Sequence, residues 1–294
     1  MNKELKLITN GLGESTAKTY THSYNRLRKL LSIKDKRRPI KKIPLTHILN
    51  TIDLIPNPSS KFAVYIIATK IYNVIENKDE MDQFRQKINN EKREYQKSNN
   101  QKLNEDLPTY KQIDNALSTT DNPKKYITSF LIFHLNTRNM DVAYIDLHSS
   151  IKDKYNDERN HLVLFENQVI YIRNKYKTFS KYKQKVNIIK DTKFVNKVKE
   201  ILNDNDMVSL YTNKQGGGIS PSSIASYLKK YIVLGLSEGQ IIKIVIKHIE
   251  ANGNYDMLRC ISANRGTSVQ TLLTDYDISN LTEPTNITTN KHYK

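Results

Sequence analysis

Arg138, Lys177, Arg259 and Tyr293, in chain order, are the side chains whose types and surroundings suit phosphoryl chemistry. Arg138 stands in Leu135-Asn136-Thr137-Arg138-Asn139-Met140-Asp141-Val142, directly after an apolar stretch. Lys177 falls between two strand-like segments, Arg259 closes Asp256-Met257-Leu258-Arg259, and Tyr293 follows Ile287-Thr288-Thr289-Asn290-Lys291-His292. A phosphodiester under attack passes through a pentacoordinate phosphorane with extra negative charge on its non-bridging oxygens. Guanidiniums suit that charge, because each is permanently cationic and donates two parallel hydrogen bonds. A leaving oxygen needs a proton, which an ammonium can supply. A tyrosine hydroxyl, with an ordinary pKa of about 10, is helped to attack by neighbouring arginines or by His292 as a base.

Holding such groups together falls to the elements around them. Residues 1–76 read as helical, with Ser15-Thr16 capping a helix that carries Tyr20, Tyr24, Leu27, Leu30 and Leu31 at helical spacing. A basic loop with Lys34, Lys36, Arg37, Arg38, Lys41 and Lys42 follows, interrupted by Pro39 and Pro44. Two more helices are predicted over 45–54 and 59–75, separated by Pro56 and Pro58. Residues 77–106 are rich in Asn, Lys, Glu and Gln and read as a charged helix fraying into a linker. A second domain is predicted over 107–294. Ile113, Leu117, Ile127, Phe130, Leu131 and Leu135 follow a buried-helix pattern, and Asn136-Thr137 turns into a second helix with Asp141 in its favourable first turn. Strands are predicted at 162–165, 169–172 and 186–189, then helices at 194–202, up to Tyr231, and over 239–251. The chain thus reads as mainly α with a small β-sheet (α+β).

Bulk properties narrow the partners. A net charge of +17 on 294 residues points to a polyanion, for which DNA or RNA is commoner than a membrane surface. The 37% hydrophobic content is low but enough for a folded core. No apolar run approaches the roughly 18 residues of a membrane span, and Met1-Asn2-Lys3-Glu4-Leu5-Lys6 lacks the core of a signal peptide. The single cysteine, Cys260, excludes an intrachain disulfide and a cysteine-based zinc site, so an intracellular, reducing setting is expected. Gly216-Gly217-Gly218 lacks the Gly-Lys-Ser/Thr of a P-loop, and the seven histidines have no ligand spacing. Neither a metal nor another cofactor is expected. Abundant Lys, Asn, Ile and Tyr without Trp matches AT-rich coding, as in a large DNA virus or another AT-rich replicon.

The four residues and their flanking text together resemble the tyrosine recombinase (lambda-type integrase) family. That family's pattern runs Arg-x-x-Glu, a lysine, His-x-Leu-Arg, then Thr-Thr and a nucleophilic tyrosine. Here Asp141 stands where the family has Glu, Lys177-Thr178 resembles its Lys-Thr pair, and Leu258-Arg259 matches its box with Asp256 in place of His. Asn286-Ile287-Thr288-Thr289 before Tyr293 resembles its Thr-Thr-x-x-Tyr ending, with one extra residue. The family's second His or Trp is absent, with Glu283 and Pro284 in that region.

The resemblance implies a helical core-binding domain at 1–76 and a mixed α/β catalytic domain of the DNA breaking-rejoining type. It makes Arg138 and Arg259 the phosphate binders, with Asp141 orienting Arg138, and Tyr293 the nucleophile. Lys177 is the implied general acid, although Lys175, Lys181, Lys183 and Lys185 share its loop. Lys175, Lys181 and Lys183, with Lys36, Arg37, Arg38, Lys41 and Lys42, are then candidate DNA contacts. Lys247 or His248 could stand in for the missing His at Asp256.

A phosphotyrosine link conserves the energy of the cut bond, so this chemistry needs neither metal nor ATP. Double-stranded DNA would be the partner, bound by a homotetramer on paired sites, in integration or resolution of a viral or mobile genome. The chain would act wherever that DNA resides: host nucleus, viral factory or cytoplasm. Two other readings share these residues: a type IB topoisomerase, and a non-catalytic DNA-binding descendant.

Overall fold

Apolar residues at helical spacing build α1 (Lys3–Thr9), α2 (Glu14–Leu30), α3 (Leu45–Asp53) and α4 (Pro58–Asn73) of a first unit, Met1–Lys102. The computed structural model describes residues 3–35, 38–73, 82, 85–91, 94, 107–156, 158–212 and 219–276. α2 begins behind Gly13 with no side-chain cap, so Ser15-Thr16 falls inside its first turn and not at its cap. Tyr24, Leu27, Ile48, Ile52, Tyr65 and Ile67 lie in the core of this unit.

The basic loop after α2 is pinned from both sides. Buried Glu4 accepts the amides of Ile40 and Lys41 at 2.9 and 3.0 Å, and Arg28 donates to the carbonyls of Asp35 and Arg38 at 2.5 and 2.7 Å. Arg38, Lys41 and Lys42 are thereby left exposed, while Lys36 and Arg37 lie outside the described residues. Residues 85–91 are helical, with Lys87 on Asp53, Glu91 on Lys61 and Ile88 against the core.

The second unit is Leu103–Lys294. Thr109 and Gln112 form a capping box that starts α5 (Tyr110–Ser118), and Asn122 with Pro123 starts α6 (Pro123–Phe133). A five-residue α7 (Asn139–Ala143) runs into β1 (Ile145–His148). Then come β2 (Asn160–Phe165), β3 (Gln168–Arg173), the short α8 (Phe179–Tyr182), β4 (Lys185–Ile189), α9 (Thr192–Leu202) and β5 (Met207–Ser209). The unit continues through α10 (Ile224–Lys229), α11 (Glu238–Ala251), α12 (Tyr255–Arg265) and α13 (Val269–Tyr276).

The sheet order is β4-β3-β2-β1-β5, with β1 and β2 parallel and the other pairs antiparallel. α9 packs on α6 and on the sheet, and α11 packs on α6, α12 and α13. The described residues are therefore mainly α with one small mixed sheet. The three anticipated strands are β2, β3 and β4. β1 and β5 were not anticipated, because four and three residues are too few to display an alternation.

Candidate active site

The peptide before Arg138 is folded tightly. Asn136 adopts a left-handed conformation at φ +53°. Thr137 is fully buried and uses both its amide and its hydroxyl on the Leu131 carbonyl, at 3.2 and 2.8 Å. Arg138 is then the N-cap residue of α7 in extended conformation, and its amide donates to Asp141 Oδ2 at 3.3 Å. Asp141 is buried, which pushes its carboxyl pKa up, while Arg173 and Arg138 pull the other way.

Two further arginines lie inside this turn. Arg173 ends β3 on the strand's buried side, in phase with Val169 and Tyr171. It donates to Asp141 Oδ2 at 3.3 Å, to the Asn264 carbonyl at 2.8 Å and to Asn187 Oδ1 at 3.0 Å. Arg265 is 2% exposed at the end of α12. It donates to the carbonyls of Asn136 and Thr137 at 3.2 and 3.4 Å and to Glu238 Oε1 at 2.5 Å. The other oxygen of Glu238 accepts the Asn139 amide at 2.8 Å. Both ends of the Arg138 turn are thus tied to the beginning of α11 and the end of α12.

The connection between β3 and β4 closes over the same place. Lys185 donates to the Ala263 carbonyl and lies 5.1 and 5.0 Å from the ring centres of Tyr176 and Tyr182. Burial lowers its pKa first and the charge of Arg173 lowers it further; Asp141 opposes this and Arg138 adds to it. Thr178 packs on Gly266, immediately after Arg265; Gly266 is left-handed at φ +60°, and a Cβ there would collide with the Thr178 hydroxyl. Lys177 stands exposed on this connection, next to Thr178.

The other anticipated residues are distributed differently. Arg259 is 83% exposed in its side chain and pairs at 3.7 Å with Asp256, itself 93% exposed. Leu258, Ile261 and Arg265 form the buried stripe of α12 at spacings of three and four, which turns Arg259 outward. The structure therefore brings together Arg138, Asp141 and the lysine connection, while Arg259 and Asp256 stand exposed on α12. Lys175 leans on Glu158 at 3.4 Å and on the Tyr144 ring at 4.6 Å, Lys183 is exposed, and Lys181 lies in α8. His248 stacks on Tyr110 at 4.1 Å near the far end of α11. Ten residues of helix, about 15 Å, separate it from Glu238. Tyr293 and His292 lie outside the described residues.

Arg173, Arg265 and Glu238 were not anticipated. For Arg173 the available signal was strand alternation, and for Arg265 it was the stripe with Leu258 and Ile261. For Glu238, a helix-first-turn position gave none. Among the described residues no helix is long and apolar enough to cross a membrane, and no group of three or more His, Cys, Asp or Glu could hold a metal ion.

No protein-family model matches the chain, and no curated protein matches it. It is similar to the crystal structure of XerA recombinase over 94% of this chain and 93% of that one, at 13% identity and a TM-score of 0.34. At that distance no residue role is carried across.

Proposed function

We propose that this chain binds double-stranded DNA and cuts and rejoins its strands through a 3′-phosphotyrosyl intermediate, as a site-specific recombinase or integrase. One observation carries the reading: the Arg138 turn is anchored by Glu238 of α11 and by buried arginines of α12 and β3, and the cluster holds four cations, Arg138, Arg173, Arg265 and Lys185, against two carboxylates, Asp141 and Glu238. Such a turn is preorganised for an anion, and preorganised charge is what a phosphorane needs.

In this reading Arg138 holds the non-bridging oxygens. A lysine of the β3–β4 connection, Lys177 or Lys185, protonates the leaving 5′ oxygen, and Tyr293 attacks phosphorus. Asp141 orients Arg138 and does not react. Arg259, being exposed, serves the duplex backbone as Arg38, Lys41 and Lys42 do. The chain would act as a homotetramer on paired sites, in integration or resolution of a viral or mobile genome, wherever that DNA resides.

Covalent trapping tests the proposal. Protein incubated without metal on nicked duplexes from the ends of its own genetic element gives a shifted band on a denaturing gel. That band is absent in Tyr293→Phe and reduced about 10²–10³-fold in Arg138→Ala. Resealing of the same strand without transfer would mark a topoisomerase. The exposure of Arg259 favours one further reading, DNA binding without cleavage, and retained binding with no band in the wild type would establish it.

A further inference from the structure

We propose that Asn160 is a positioning residue, which holds the lysine-bearing connection in register with the arginine-bearing helix; the inference rests on the function proposed above. Asn160 opens β2 and is fully buried. Its Oδ1 accepts the amides of Asn174 and Lys175 at 2.9 and 2.7 Å. Its Nδ2 donates to the carbonyls of Asp141 and Lys175 at 2.6 and 2.9 Å. A side-chain amide has two hydrogens and an oxygen with two lone pairs, so its whole capacity is used. Its orientation is forced as well: the reverse would set NH₂ against two N–H groups and oxygen against two carbonyls.

The two sides of this amide belong to the two halves of the site. Asp141 lies in α7, the helix that Arg138 caps. Asn174 and Lys175 open the connection that carries Lys177. The consequences of losing Asn160 are unequal. The Asp141 carbonyl keeps a second donor, the Tyr171 hydroxyl at 2.8 Å, whereas the amides of Asn174 and Lys175 lose the shared acceptor. The arginine side therefore stays in place and the lysine side slips.

Asn160→Ala tests this, with Asn160→Ser in its place if the alanine variant does not fold. On an ordinary nicked duplex, single-turnover cleavage falls about 10²-fold at unchanged DNA affinity. The same duplex with sulfur as the 5′ bridging atom reads the cause. The tyrosine oxygen bonds phosphorus and gives its proton to solvent, the phosphorus–sulfur bond breaks, and the electron pair leaves as a thiolate. A thiolate needs no acid, so the variant recovers to within a few-fold of wild type on this substrate. Equal slowness on both substrates, or wild-type cleavage of the ordinary one, would overturn the proposal. Amide hydrogen exchange decides without reference to activity. Protection falls at residues 174–178 and holds at 139–143 in the variant, and unchanged protection at 174–178 would overturn the tether. If the wild-type protein cleaves neither duplex, the proposed function fails, and the exchange result still judges the tether.

Discussion

Burial separates the arginines by job. Arg265 and Arg259 share a helix six residues apart, yet one is 1% and the other 83% exposed in its side chain. Removing Arg265 leaves Glu238, whose side chain is 17% exposed, without its cation and two carbonyls of the Arg138 turn without their donor. Taking one partner from a fully buried pair costs about 3–5 kcal/mol; Glu238 keeps some contact with solvent, so Arg265→Ala is expected to lower the urea midpoint clearly but by less than that full cost. Exposed pairs contribute about 0–1 kcal/mol, and Arg259→Ala should leave that midpoint almost where it was while weakening DNA binding. Equal losses of stability in the two variants would contradict the assignment of Arg265 as an anchor.

Elements meet the site through their ends. α12 stops at a left-handed glycine, and its last carbonyls are taken by Lys185 and Arg173, cations at the negative pole of a helix. Gly266→Ala adds strain at positive φ and a clash with Thr178. It should cost more than about 1 kcal/mol and displace the lysine connection, visible as faster amide exchange at residues 174–184.

A second device lies where β1 and β2 run side by side. His161 lies 2.9 Å from the Asn156 carbonyl through Nε2 and 3.0 Å from His148 through Nδ1, an arrangement that suits two neutral rings. Burial, then the charges of His161 and Lys152, pull the His148 pKa down to about 4. Its folded pKa thus lies below the unfolded value of about 6.5, and the unfolded chain binds the extra proton. Stability is full above about pH 6.5 and declines as pH falls toward 4. Urea midpoints measured across that window should drop for the wild type and flatten in His148→Phe.

For the molecule as a whole, charge is the dominant fact. At +17, association with a duplex should release counterions, giving a linear fall of log K with log salt. Lys41 and Lys42 stand exposed beside backbone groups that Glu4 and Arg28 hold by hydrogen bonds, so each can face a phosphate. Replacing both with alanine is expected to reduce the slope of that line by about 2. A slope unchanged in the double variant would remove this loop from the interface.

What the sequence alone determined is what local patterns determine. Helical spacing located α2, α4, α6 and α11, alternation located β2, β3 and β4, and the Asn136-Thr137 turn before Arg138 was readable because turn residues act within four positions. Net charge indicated a polyanionic partner. Tertiary structure decided which cations meet. The rotation of α12 about its axis is fixed by packing Leu258 and Ile261 inward, and this carries Arg265 against the Arg138 turn and leaves Arg259 exposed. The anchoring of Arg138 by Glu238, ninety-nine residues from the Asn139 amide it accepts, leaves no trace at short range. β1 and β5 likewise exist only through partners distant in sequence, since three or four residues gain strand conformation from the ladder they join and not from their own propensity.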